Sequence, residues 1–138
     1  MEEYIKNMEK ASRDLKAINK RIHQRYNVHY LADVYLGAEI LFATVVDISE
    51  TGADIILPRK FYMNEILNLR ISCNLINKER SELEKVNIYL RAEIVWIKEI
   101  ESMYKAGLKI IDIAYEDTVK LRDHLRYLKE RMLWEENL

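Results

Sequence analysis

The sequence predicts a mainly β protein, a six-stranded antiparallel barrel with a helix at its N-terminal end and another at its C-terminal end, and three observations carry that expectation. From Asn27 to Ile113 the chain is dense in Val, Ile, Tyr and Leu and alternates apolar with polar residues in pieces such as Asp33-Val34-Tyr35-Leu36, the period of a strand. Turn-forming residues interrupt this stretch at Gly37, Ser49 to Gly52, Pro58 and the polar run Asn77 to Lys85. The two chain ends instead space their apolar residues three and four apart, the period of a helix.

In chain order, Ile5, Met8, Leu15 and Ile18 give residues 1–20 an amphipathic helical face in a segment rich in Glu, Lys and Ala. Residues 21–138 then form the main domain, with its barrel over about 27–113. Strands are expected at Val28 to Leu36, Glu39 to Ile48, Ala53 to Leu57, Ile66 to Leu75, Asn87 to Ile97 and Tyr104 to Ile113. Antiparallel strands of similar length joined by short turns remove their exposed edges most simply by closing into a barrel. From about 116 to 135 a helix returns, with Leu121, Leu125, Leu128 and Met132 as its apolar seam and Asp117 or Thr118 as its cap. That seam either docks on the barrel or pairs with another helix as a short coiled coil. Docking is preferred, because in the second strand Thr44, Val46 and Ile48 face one way and Leu41, Ala43 and Val45 the other, leaving an apolar outer face for a helix to cover.

Composition excludes several function classes. A chain of 138 residues, 49% hydrophobic and 33% charged, is one folded domain large enough to hold a core without disulfides or a structural metal. Cys73 is the single cysteine, which excludes an internal disulfide or a multi-cysteine metal site and fits a reducing, cytoplasmic setting. The charged N-terminus has no apolar signal region, and no stretch reaches the roughly 18 apolar residues of a membrane span, so no membrane insertion is expected. Net charge is −1 with both signs interspersed, so an anionic ligand must be held locally and no nucleic acid polymer is expected as a partner. The glycines, Gly37, Gly52 and Gly107, are too far apart for a phosphate-cradling loop.

Two polar clusters stand out: Arg21-Ile22-His23-Gln24-Arg25 just before the first strand, and Asp47-Ile48-Ser49-Glu50-Thr51-Gly52 at the end of the second. Either alone would be a set of turn and cap residues, and the RxxxR of Arg122 and Arg126 shows how readily that spacing arises on a solvated helix face. Together they describe a site. Asp47 and Ser49, two apart on a strand end, are expected to project from one face as a polar ledge, with Gly52 admitting a positive φ or a flat ligand. A guanidinium from Arg21 or Arg25 folded over that ledge can grip phosphate, stack on a base or bond the O6/N7 edge of guanine. The ligand so described is an anionic purine nucleotide.

These residues resemble the PilZ domains, bacterial receptors for the second messenger cyclic di-GMP. The family's RxxxR followed by (D/N)xSxxG is matched by RIHQR and then DISETG, and Ala92-Glu93-Ile94-Val95-Trp96 and Ala106-Gly107-Leu108-Lys109-Ile110 are similar to its later AxVxW and GxxF strands, with Ile110 in place of the aromatic. The resemblance covers about Lys20 to Ile113. It implies that Arg21 and Arg25 hold the phosphates and guanine faces of cyclic di-GMP while Asp47, Ser49 and Gly52 contact guanine from the strand, with no further cofactor and no metal. Lys20 stands where many relatives carry Arg, a position that bears on whether one ligand or a stacked pair is bound, and His23 is a candidate for base stacking.

The reading that follows is a non-enzymatic receptor that changes conformation on binding cyclic di-GMP and regulates an unidentified protein partner in motility, biofilm or virulence control, as a monomer or homodimer. The alternative is a PilZ-like adaptor that binds proteins without nucleotide. A hydrolase is disfavoured because Ser49 lacks the GxSxG elbow and Asp47 lies on the strand of Ser49 itself, not behind a histidine. DNA binding is disfavoured because the C-terminal helix mixes Arg122, Arg126, Lys129 and Arg131 with Asp123, Glu130, Glu135 and Glu136. His29 and His124 lack partners at metal-ligand spacing, Trp96 is expected in the core, and Cys73 is expected as an inert buried thiol.

Overall fold

A computed structural model describes residues 23–136 apart from 78 and 81. The expected N-terminal helix at 1–20 lies outside the described residues, as do Lys20 and Arg21. Six strands follow: β1 (Tyr26–Leu36), β2 (Glu39–Ile48), β3 (Gly52–Leu57), β4 (Ile66–Asn77), β5 (Glu82–Ile100) and β6 (Met103–Asp112), then helix α1 (Tyr115–Glu136). Every pairing is antiparallel and the sheet closes on itself in the order β1-β2-β3-β6-β5-β4.

Alternation builds the interior. Tyr30, Ala32 and Val34 of β1, Ala53, Ile55 and Leu57 of β3, Leu67, Leu69, Ile71 and Cys73 of β4, and Ile88, Leu90, Ala92 and Ile94 of β5 recur at every second position and form one buried cluster. Cys73 is the inert thiol expected from sequence, its pKa pushed up to about 12 by burial. In β2 strict alternation fails, because the β2–β3 register shifts between Val45 and Asp47 and Ala43, Val45 and Ile48 all face the core. The face assignment expected for β2 is therefore wrong beyond Val45, and its cause is an irregularity that periodicity does not signal.

Helix α1 docks, but elsewhere than expected. It leaves the outer face of β2 open, with Phe42 75% exposed, and lies over the barrel end, where Leu121 joins the core and Leu125 and Leu128 pack against it. The space between Leu121 and the surrounding Ile48, Leu69, Ile71 and Leu108 is about 10 Å³, so the helix is a plug. A buried polar contact locks it: the Tyr30 hydroxyl lies 2.6 Å from Nε2 of His124, which is 1% exposed. Burial lowers the His124 pKa to about 4 and raises that of Tyr30, so a neutral imidazole and a neutral phenol share this hydrogen bond. Neither expected cap residue caps. The helix begins at Tyr115, Asp117 Oδ1 accepts the Tyr89 backbone N–H at 3.0 Å, and the Thr118 hydroxyl donates to the Ala114 carbonyl at 3.1 Å.

Two further expectations are corrected. The polar run Asn77 to Lys85 is mostly strand, since β4 and β5 pair out to Asn77 and Glu82 as a ribbon longer than the barrel is tall. Trp96 lies outside the core, its indole filling the place where a Cβ on Gly107 would stand, and the glycine in β6 is required by that packing.

Because the unfolded chain protonates His124 near its ordinary 6.5 while the folded chain resists protonation down to about 4, stability should fall as pH drops through that window and level off below it. His124→Gln keeps an acceptor for Tyr30 without titrating. Thermal unfolding followed from pH 7 to 4 should show a shallower loss in this variant than in the parent protein.

Candidate functional site at the start of β1 and the end of β2

Topology brings the two polar clusters together. β1 runs antiparallel to β2 with Tyr26 opposite Ile48 and Asn27 opposite Asp47, so the residue just before β1 arrives where β2 ends. Arg25 is that residue. Its Nη1 lies 3.7 Å from Asp47 Oδ1 and 3.3 Å from Asp54 Oδ1, the latter within hydrogen-bond reach. Asp54 stands directly across from Asp47 on β3.

The electrostatics of this trio are unequal. Arg25 keeps more than half of its side chain in solvent, whereas Asp47 and Asp54 are largely covered. Burial raises the Asp47 pKa, facing Asp54 raises it further, and Arg25 and Lys105 pull it back. Asp47 Oδ1 is buried and has no hydrogen-bond donor among the described residues. A desolvated carboxylate oxygen without a hydrogen-bond donor retains acceptor capacity for an N–H group.

Ser49 does something other than project from a ledge. It is 2% exposed, and its Oγ accepts the backbone N–H groups of Thr51 and Gly52 at 3.3 and 3.2 Å and contacts the Gly52 carbonyl at 3.2 Å. The Ser49 backbone N–H also donates to the Gly52 carbonyl at 2.9 Å. The serine therefore builds the β2–β3 turn, and Asp47 alone of the pair faces outward. Gly52 is likewise structural here. Its φ is not in the left-handed region, and a Cβ would run into the Leu108 carbonyl oxygen, so glycine lets β3 and β6 approach each other.

His23 lies 3.5 Å from Glu50, and the other oxygen of Glu50 accepts from Arg122 Nε at 3.2 Å. Gln24 Nε2 approaches Met132 Sδ at 3.8 Å. The arm, the turn and helix α1 thus meet around one carboxylate. The structure brings together Arg25, His23, Asp47, Ser49 and Gly52, and adds three residues the sequence reading missed: Asp54, Glu50 and Arg122. Asp54 was visible only through the β2–β3 register, and Arg122 looked like any solvated helix arginine. Among the described residues no group of three or more His, Cys, Asp or Glu is placed to hold a metal ion.

With this geometry in hand, comparison with known proteins is direct. Residues 19–128 match the profile of the PilZ domain, and the chain belongs to that family. The fold is similar to the Bacillus subtilis inhibitor of motility MotI/DgrA, with a TM-score of 0.63, 23% identity, and coverage of 80% of this chain and 50% of that one. It is similar also to Escherichia coli YcgR in complex with c-di-GMP, at a TM-score of 0.62, 11% identity and coverage of 83% and 48%. Against the PilZ domain of YcgR alone, with c-di-GMP, the TM-score is 0.61 at 10% identity, with coverage of 83% of this chain and 95% of that domain. The chain thus spans about half the length of the full MotI and YcgR structures and nearly all of the isolated domain. A search of curated protein sequences returned no match.

Ser49→Ala removes the hydroxyl that organises the turn and leaves the Thr51 N–H and the buried Gly52 N–H without that acceptor. Its expected cost is about 1 to 3 kcal/mol in urea-induced unfolding, with an unchanged m-value.

Proposed function

We propose that this domain is a non-enzymatic receptor for cyclic di-GMP, held between the arm carrying Arg21 and Arg25 and the strand rim carrying Asp47, Ser49 and Gly52. The observation that carries the reading is the meeting of Arg25 with Asp47, the last residue of one family motif and the first of the other, across the β1–β2 register. Guanine offers N1–H and N2–H donors on one edge, which suit the Asp47 carboxylate, and O6/N7 acceptors on another, which suit an arginine fork. Phosphate suits the exposed part of Arg25, and Arg21, the first residue of the same motif, is the second guanidinium proposed for it. Ser49 acts by holding the turn that fixes Asp47, and His23 is the arm's candidate for stacking on a base. Whether one ligand or a stacked pair is bound turns on Lys20.

The ligand would act by engaging an arm whose side chains also touch the turn and helix α1, through His23, Glu50 and Arg122. Binding that repositions the arm changes the surface offered to a protein partner. Motility control is the process favoured, on the likeness to the inhibitor of motility from B. subtilis, and biofilm or virulence control are related outputs of the same messenger. A cytoplasmic location follows from the messenger, and no helix among the described residues is long and apolar enough to cross a membrane.

The adaptor reading has one observation of its own. A concavity of about 590 Å³ lies between the end of the β4–β5 ribbon and α1, lined by Ile76, Tyr127 and Trp134 with Glu130, Arg131 and Glu135 at its rim. Such a face suits a protein partner, with or without nucleotide.

Isothermal titration calorimetry with cyclic di-GMP should give saturable binding, with GTP and cyclic GMP producing little heat. Arg25→Ala should weaken binding by roughly 10- to 100-fold, the worth of one or two charge-assisted hydrogen bonds. Near-normal affinity in that variant would remove Arg25 from the site, and no binding to the parent protein would leave the adaptor.

A further inference from the structure

We infer that Asp54, which lies outside both family motifs, is a positioning residue that takes the hydrogen bond of the Arg25 guanidinium, so that the facing Asp47 carboxylate keeps its acceptor capacity for guanine. The inference rests on the cyclic di-GMP reading of this site and deepens it.

Asp47 and Asp54 are directly opposed on adjacent antiparallel strands, an arrangement that is repulsive for two like charges. Their neighbours on β3, Ala53 and Ile55, fill the barrel interior, so Asp54 points to the outer side, where it is nonetheless only 9% exposed. A buried carboxylate needs a partner. Asp54 has one, Arg25 Nη1 at 3.3 Å, while the same nitrogen stays 3.7 Å from Asp47 Oδ1, in ion-pair range but short of a hydrogen bond. One cation therefore serves two carboxylates unequally, and among the described residues the buried oxygen left without a hydrogen-bond donor belongs to Asp47.

Removing the Asp54 charge alters that division. Arg25 would lose its nearer anchor and close on Asp47, converting a loose ion pair at 3.7 Å into a hydrogen-bonded one that guanine must break. If Asp54 were only an extra negative charge beside an anionic ligand, its removal would do the opposite and tighten binding.

A second consequence concerns pH. Asp47 accepts guanine N–H groups only as a carboxylate, and the charged groups facing it are Arg25 from the arm, Asp54 from β3 and Lys105 from β6. Asp54 is one of the causes holding the Asp47 pKa up. Without it Asp47 remains ionised to lower pH, so the acid limb of binding should move down. A merely structural loss would lower affinity without moving that limb.

The test is calorimetry with cyclic di-GMP on the parent protein, Asp54→Asn and Asp54→Glu across pH 4 to 8, with unfolding transitions recorded for each. At neutral pH, Asp54→Asn should weaken binding by about tenfold and shift its acid limb to lower pH, whereas Asp54→Glu, which keeps the charge, should stay within about threefold of the parent. Unchanged or tighter binding by Asp54→Asn, or a loss with an unmoved acid limb, overturns the inference while leaving the receptor reading intact. Absence of binding to the parent protein overturns the receptor reading, and the inference with it. Should Asp54→Asn fail to fold, Asp54→Glu decides: a loss well beyond threefold at neutral pH in that folded variant also overturns it.

Discussion

A buried serine hydroxyl sets the geometry on which the site depends. Ser49 gathers the backbone N–H groups of Thr51 and Gly52 and so turns β2 into β3 within a few residues. That turn fixes the register that places Asp54 across from Asp47, and it carries Glu50 toward both the arm and α1. Gly52 completes it by allowing β3 to lie close against the Leu108 carbonyl of β6. In physical terms the motif DISETG is mostly a device for holding backbone, and only Asp47 and Glu50 present charge to the outside.

The second constraint is barrel closure. Because β1 pairs with β4 over Leu31 to Tyr35 and with β2 back to Tyr26, its first residue is held opposite the end of β2. An arginine placed just before β1 is therefore delivered to the rim without a dedicated loop. Leu121 and the Tyr30–His124 contact seat α1 over the same end of the barrel, which puts Arg122 within reach of Glu50. Exposed ion pairs of this kind contribute little to stability, typically about 0 to 1 kcal/mol. Their weakness suits contacts that a charged ligand is meant to exchange.

Much of the fold was legible because period-two alternation is strong in β1, β3, β4 and the barrel part of β5, and the seam of α1 is regular. What stayed hidden has identifiable causes. The bulge in β2 has no glycine or proline to announce it, so plain alternation puts Ile48 on the wrong side and gives the outer surface an apolar stripe for a helix to cover. The tip of the β4–β5 ribbon is polar because it projects beyond the barrel and has no core to face, which made it look like loop. The two motifs pointed to the site, yet the division of roles within it could not be read locally. Ser49 and Gly52 serve the backbone, a distinction that depends on β6, and Asp54 enters through a cross-strand register invisible in linear order.

The central claim is that the arm and the strand rim form a single binding site. Mapping backbone amide and arginine side-chain resonances by heteronuclear NMR during a cyclic di-GMP titration tests it most directly. Perturbations concentrated on His23 to Arg25 and on Asp47 to Asp54, saturating together, are what the account predicts. Shifts confined to Ile76, Tyr127 and Trp134, or two groups of shifts that saturate independently, would contradict it.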